Sequence, residues 1–205
     1  MSYYKLTNQK MQTFRGFQWT LGKWVKTDGK HKRLCNNSWL HCYSHPLLAV
    51  LFNPIHATIV NPRMFRVNVR GKKLSGGGTK FGFTQMRLVE EISPPEITTN
   101  QRIAFGILCV KQIYKDKKWN EWADNWLSGK DRSYGTANVT LAAINTDYAA
   151  AVTVATDAAD VTFAAADAVD ATANDPYPYA TSAAANCRIN NRRLIALAKQ
   201  ALYKP

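Results

Sequence analysis

The spacing of apolar residues changes at one place in this chain, and that change limits the fold more than any other feature. Before Ser93-Pro94-Pro95 apolar residues recur at every second position; beyond it they recur at every third or fourth. A period of two belongs to strands and a period of 3.6 to helices. Two successive prolines interrupt both. The expectation is therefore an α+β chain, with a mostly antiparallel sheet domain over residues 1–92 and a helical part over residues 93–205.

Met64 to Arg70 is the clearest strand: Phe65, Val67 and Val69 face one way, and Arg66, Asn68 and Arg70 the other. Gly71 to Lys80 reads as a flexible basic loop and Phe81 to Ile92 as the returning strand. Its apolar phase moves from Phe81 and Phe83 to Met86 and Leu88, which puts a bulge near Thr84-Gln85. Tyr3 to Gly16 reads as one strand, continued from Gln18 to Val25 with Trp19 and Trp24 as core candidates. Leu34 to Tyr43 is another. Between them Ser44-His45-Pro46 opens a short helix from Leu47 to Phe52, with Ser44 as its cap and Asn53-Pro54 as its end.

Three segments follow the prolines. Residues 93–132 carry a helix capped by Asn100 and running to Tyr114, then a second with Trp119, Trp122 and Trp126 on one face, read as core packing. Residues 137–173 are dominated by Ala, with Asp147, Asp157, Asp160, Asp167 and Asp170, and read as a scaffold of close-packed helices. Residues 188–205 form a basic tail with a helix from Asn190 to Leu202.

Charge divides along the same lines. The formal balance is +13, made of +14 over residues 1–132, −6 over 133–187 and +5 over the tail. Such an excess points to a polyanionic partner, here DNA. Arg66, Arg70, Lys72, Lys73, Lys80, Lys117 and Lys118 are the expected phosphate contacts. The longest apolar run, Ile103 to Val110, is too short to span a bilayer, and the first residues lack a signal-peptide core. Four cysteines without a C-x-x-C pair suggest reduced thiols and a cytoplasmic location. Cys35, His41, Cys42 and His45 fit no common zinc spacing, so no metal is expected. Phosphate-loop, dinucleotide-binding, serine-hydrolase and zinc-protease signatures are absent.

Chemistry-bearing residues cluster at three predicted strand ends. They are Arg15 in Phe14-Arg15-Gly16-Phe17-Gln18-Trp19, His41 in Leu40-His41-Cys42-Tyr43-Ser44-His45-Pro46-Leu47, and Glu90-Glu91 closing the strand that starts at Lys80. These motifs resemble an uncharacterised domain family of phages and bacteria. It has an R-G-F-Q strand followed by G-K, an apolar-H-x-C-x-x-P-L segment and a K-x-x-T strand with a terminal Glu. Tyr43 stands where that family has Cys, and the interval from Lys80 to Thr84 is one residue longer. More distantly, the order of Arg or His, then a hydroxyl-bearing region, then Glu is similar to the ADP-ribosyltransferase fold.

The resemblance implies cleavage of an N-glycosidic bond. A carboxylate, Glu90 or Glu91, would stabilise an oxocarbenium-like sugar. Arg15 would hold a phosphate, and His41 would orient the sugar or protonate the leaving base. With a DNA partner this becomes a glycosylase-like excision of a base, such as a modified phage base, without a cofactor. The flipped base would stack among Trp19, Trp39, Tyr43 and Phe83. The alternatives are an ADP-ribosyltransferase using NAD and a DNA-binding protein without catalysis. Convergence of Arg15, His41 and the glutamates on one basic cleft separates the enzymes from the binding protein.

Overall fold

The computed structural model describes residues 2–140, 156–173 and 176–204. The chain is α+β, with an antiparallel sheet followed by helices. Two compact units share it. One comprises residues 1–96 with 190–195, and the other residues 97–189 with 196–205.

The strand-rich unit is built on one long hairpin. β6 (Arg63–Gly76) and β7 (Lys80–Ile92) pair along nearly their whole length. β1 (Tyr3–Thr7) adds to the outer side of β6. On the far side of β7, β4 (Val25–Lys26) pairs at Gln85 and Met86, and β5 (Leu40–Cys42) pairs at Phe81 to Phe83. Tyr3, Val67, Phe81, Phe83, Met86 and Leu88 share one face with Leu40 and Cys42. With Trp19 laid over them they form the unit's core. α1 (Pro46–His56) packs on β1 and buries Leu47, Leu48, Leu51 and Phe52.

The pairing of β6 with β7 contains two irregularities. One falls between Arg66 and Val67, where Val89 is the extra residue; the other puts Gly71 and Lys72 opposite Thr84. The second lies where the phase change in Phe81 to Ile92 predicts a bulge, but the added residue is on the opposite strand. Gly71 adopts φ +82°, and the Thr84 hydroxyl accepts a hydrogen bond from the Lys72 amide at 3.0 Å. Glycine is the residue that takes this conformation without strain. The bulge also restores pairing beyond it, so Lys73 to Gly76 are strand rather than the expected flexible loop.

Other segments differ from the expectation for local reasons. Tyr3 to Gly16 is not one strand. The Asn8 side chain accepts from the amides of Lys10 and Gln12, turning the chain, and a separate hairpin of β2 (Gln12–Thr13) and β3 (Phe17–Gln18) follows. Of Leu34 to Tyr43 only β5 is strand, because Asn36 closes a turn onto the Ser38 amide. α1 is capped by the His45 ring rather than Ser44, and it runs through Pro54 to His56. It stops where the Asn53 carbonyl takes the amides of Ala57 and Thr58 and its side chain clamps Ile59.

In the helical unit α2 (Thr99–Ile113) starts at Thr98, not Asn100, because Thr98 and Gln101 form a reciprocal capping box. α3 (Lys117–Ser128) buries Trp119, Trp122 and Trp126, as their spacing implies, and ends on left-handed Gly129. Beyond it lie α4 (Thr156–Ala173), α5 (Pro176–Asn186) and α6 (Asn191–Ala201), whose first residues belong to the strand-rich unit. Gly106 lets α2 approach α5, since a Cβ there would lie 2.9 Å from the Ala180 carbonyl oxygen. Asp147 lies outside the described residues, as do the side chains of Asp157 and Asp160. Asp167 is buried in the helical unit, and that burial pushes its carboxyl up to about 6.

Gly71→Ala would place a methyl group against Thr84 Oγ1 while straining a positive φ. The expected loss is about 2–3 kcal/mol in urea unfolding. Gly135→Ala, which meets nothing within 4 Å, is the control and is expected to cost nothing.

Candidate functional site

The four candidate catalytic side chains are not brought together. His41 stands opposite Gly82 in the pairing of β5 with β7, and Glu90 lies eight residues farther along β7. At a rise of about 3.3 Å per residue the two are about 26 Å apart along the strand. Glu90 is ion-paired with Arg66, its register partner on β6. Glu91 takes both Nε (2.7 Å) and an NH2 group (2.5 Å) of Arg63, and this pairing holds its carboxyl below the usual carboxylate range. Arg15 lies at the tip of the β2–β3 hairpin, in a separate small sheet, with its guanidinium over the exposed Phe14 ring. The two glutamates thus neutralise arginines at one end of the hairpin, and neither of them reaches His41.

His41 has a structural environment. Its Nε2 meets the Leu34 carbonyl at 2.5 Å, and its own carbonyl accepts from the buried Lys5 ammonium at 2.8 Å. Burial lowers the imidazole to about 4, against the raising effect of the bond to the Leu34 carbonyl and with a further lowering by Lys5 and Lys80. His56 is lowered to about 3 by burial; it shares a hydrogen bond of 3.1 Å with the Tyr43 hydroxyl and stacks on Phe52. Lys5 lies over the Trp19 ring, and burial brings its amine down to about 8.

The expected base pocket is closed for the same reason: its members are core. Trp19, Trp39, Tyr43 and Phe83 are all buried. The Trp19 indole donates to Thr13, the Trp39 indole to the His31 carbonyl, and Phe83 meets Tyr3 edge-on. Large aromatics at strand and turn positions fill cores more often than sites, and these do.

Phosphate candidates divide into three groups. Lys73 lies over the Phe81 ring at 4.6 Å, close to Tyr3 and Phe83, and Lys80 reaches the Cys35 thiol at 3.5 Å. Lys117 and Lys118 are exposed on the first turn of α3, in the other unit. Arg66, Arg70 and Lys72 remain on the exposed side of the sheet.

That side carries a feature the sequence reading missed. The register puts Arg66, Asn68 and Arg70 of β6 beside Gln85 and Arg87 of β7, and Gln85 beside Lys26 of β4. Trp24 precedes Val25, which faces the core, so its indole falls on the cationic side. Arg70 lies over it at 3.9 Å and Arg87 at 5.1 Å. Arg70 Nε is fixed by Gln85 Oε1 at 2.7 Å. Arg87 Nε is buried without a hydrogen-bond partner among the described residues. The clue was the alternation of Trp24-Val25-Lys26 and of Met86-Arg87-Leu88, in phase with Arg66 to Arg70.

Residues 1–100 match a family described as a domain of unknown function (DUF7666), a match that covers all the strands among the described residues. An uncharacterised family over this part of the chain agrees with the expectation in outline. No curated protein and no solved structure matches. Among the described residues no helix is long and apolar enough to cross a membrane, and no group of three or more His, Cys, Asp or Glu could hold a metal.

The histidines set a pH response. Both bind a proton less readily when folded than the ordinary value of 6.5 allows. As pH falls below 6.5 the unfolded chain takes up protons that the folded one does not, so stability falls towards pH 4. The loss is at most about 1.4 kcal/mol per pH unit for each histidine. Urea unfolding between pH 7 and 4 is expected to show this slope, and His56→Phe to reduce it.

Proposed function

We propose that the strand-rich unit binds DNA through the face that carries Trp24, Lys26, Arg66, Arg70 and Arg87. One observation carries the reading: two guanidinium groups, of Arg70 and Arg87, lie over one indole on the sheet face that also carries Lys26 and Arg66, with Glu90 set against Arg66 alone. A cation fixed by a neutral neighbour, as Arg70 is by Gln85, keeps its charge for a phosphate. The rest of the charge pattern supports the same partner, since Lys10, Arg15, Lys23 and Lys72 are exposed in the same unit. Phosphate contacts of this kind give affinity with little sequence preference, and salt weakens them as counterions return.

Base excision and ADP-ribosyl transfer both call for a carboxylate beside the sugar and a histidine or arginine within reach of it. Arg15, His41, Glu90 and Glu91 supply no such grouping, so the reading rests on binding alone.

The test is duplex DNA binding by fluorescence anisotropy across a salt series. The logarithm of affinity should fall linearly with the logarithm of salt concentration, with a slope of about −3 for three phosphate contacts, those of Lys26, Arg70 and Arg87. Lys26→Ala and Arg70→Ala should each reduce that slope by about one, while Lys117→Ala should leave it unchanged. Absence of DNA binding at low salt would overturn the proposal.

A further inference from the structure

The β2–β3 hairpin ends in a turn that is costly as a purely structural element. Phe14 is 83% exposed and Phe17 45%, and Leu21 just beyond is 53% exposed. Arg15 between the rings takes φ +58° and ψ +30°, a left-handed conformation in which a side chain is strained. The base of the same hairpin is built firmly. The Trp19 amide donates to the Met11 carbonyl at 2.9 Å and its indole to Thr13 at 3.0 Å, and Gln18 Nε2 bridges the carbonyls of Lys10 and Trp19. A rigid stem therefore holds the Phe14 ring in water beside a strained arginine, with Phe17 half-exposed and seated edge-on against Trp19 at 5.3 Å, an arrangement found where a surface is kept for a partner.

The surrounding charge says which partner. Lys10, Arg15, Lys23 and Lys26 are exposed around or just after this turn, and no acidic residue occurs before Asp28. The Arg15 guanidinium lies over the Phe14 ring at 5.2 Å. An arginine beside an exposed aromatic ring is the element with which proteins hold an unstacked base and its phosphate together. Seven residues after Phe17 the chain reaches Trp24 on the cationic sheet face.

We propose that Phe14-Arg15-Gly16-Phe17 is a base-stacking tip for single-stranded DNA, with Phe14 as the platform, Phe17 flanking it and Arg15 on the adjoining phosphate. This rests on the DNA-binding reading and adds to it a preference for unpaired bases. The sheet face contributes charge to both forms of DNA; the tip adds affinity only where a base is free to stack.

The experiment compares a 20-nucleotide oligo-dT with a 20-base-pair duplex by anisotropy, for the intact chain, Phe14→Ala and Phe14→Trp. The ring of Phe14 is almost wholly exposed, so neither substitution is expected to disturb folding, which circular dichroism checks. Phe14→Ala should weaken oligo-dT binding by about tenfold or more with an unchanged salt slope, and leave duplex binding as it was. Phe14→Trp should restore oligo-dT affinity, and its fluorescence should be quenched on binding. If the intact chain binds both DNAs and Phe14→Ala binds oligo-dT equally well, the tip proposal is overturned and the sheet-face reading stands. If the intact chain binds neither, the underlying reading has failed. If it binds vesicles containing phosphatidylserine and Phe14→Ala abolishes that binding while oligo-dT binding is unaffected, the tip is a membrane anchor and the proposal is likewise overturned.

Discussion

The pairing of β6 with β7 is the constraint on which the strand-rich unit depends. Every other strand of the main sheet hydrogen-bonds to one of these two. Their register decides which residues enter the core and which reach solvent, because neighbours along a strand face opposite ways. The irregularity at Thr84 shifts that register, so Phe81 and Phe83 share the core face with Met86 and Leu88 although their positions differ in parity. The same correction aligns Arg66 and Arg70 with Gln85 and Arg87 on the other side. Core and cationic face are two consequences of one hairpin.

This arrangement also explains why the glutamates do not act as a catalytic pair. The extra residue at Val89 sets Glu90 beside Arg66 and leaves Glu91 for Arg63, so each carboxylate meets a guanidinium at the end of the hairpin. His41 is at the opposite end, on the short strand β5, where burial keeps its imidazole neutral at ordinary pH despite the hydrogen bond to the Leu34 carbonyl. Elements close in sequence pattern are separated by the length of β7.

Period carried most of what the sequence made legible. The strand from Met64, the phase change near Thr84 and the buried tryptophans of α3 follow from apolar spacing alone. What was not legible depends on side chains closing local turns: Asn8 bending the chain after Thr7, Asn36 folding Leu34 to Ser38 out of the sheet, and Asn53 setting the end of α1 beyond Pro54. At the site, residue type suggested chemistry while burial decided role. Trp19, Trp39, Tyr43 and Phe83 have the composition of a base pocket and the packing of a core. Trp24 is a core candidate by sequence and lies instead on the cationic face beside Arg87, because their significance rests on pairing between β4, β6 and β7, which no stretch of sequence contains.

The central claim is that the cationic sheet face meets DNA directly. It is tested by following tryptophan indole and arginine Nε–H resonances by NMR while duplex DNA is added at low salt. The expected result is saturable movement of the Trp24, Arg70 and Arg87 signals, with those of Trp119, Trp122 and Trp126 unmoved. Binding that saturates while Trp24 and both arginines stay in place would contradict the account.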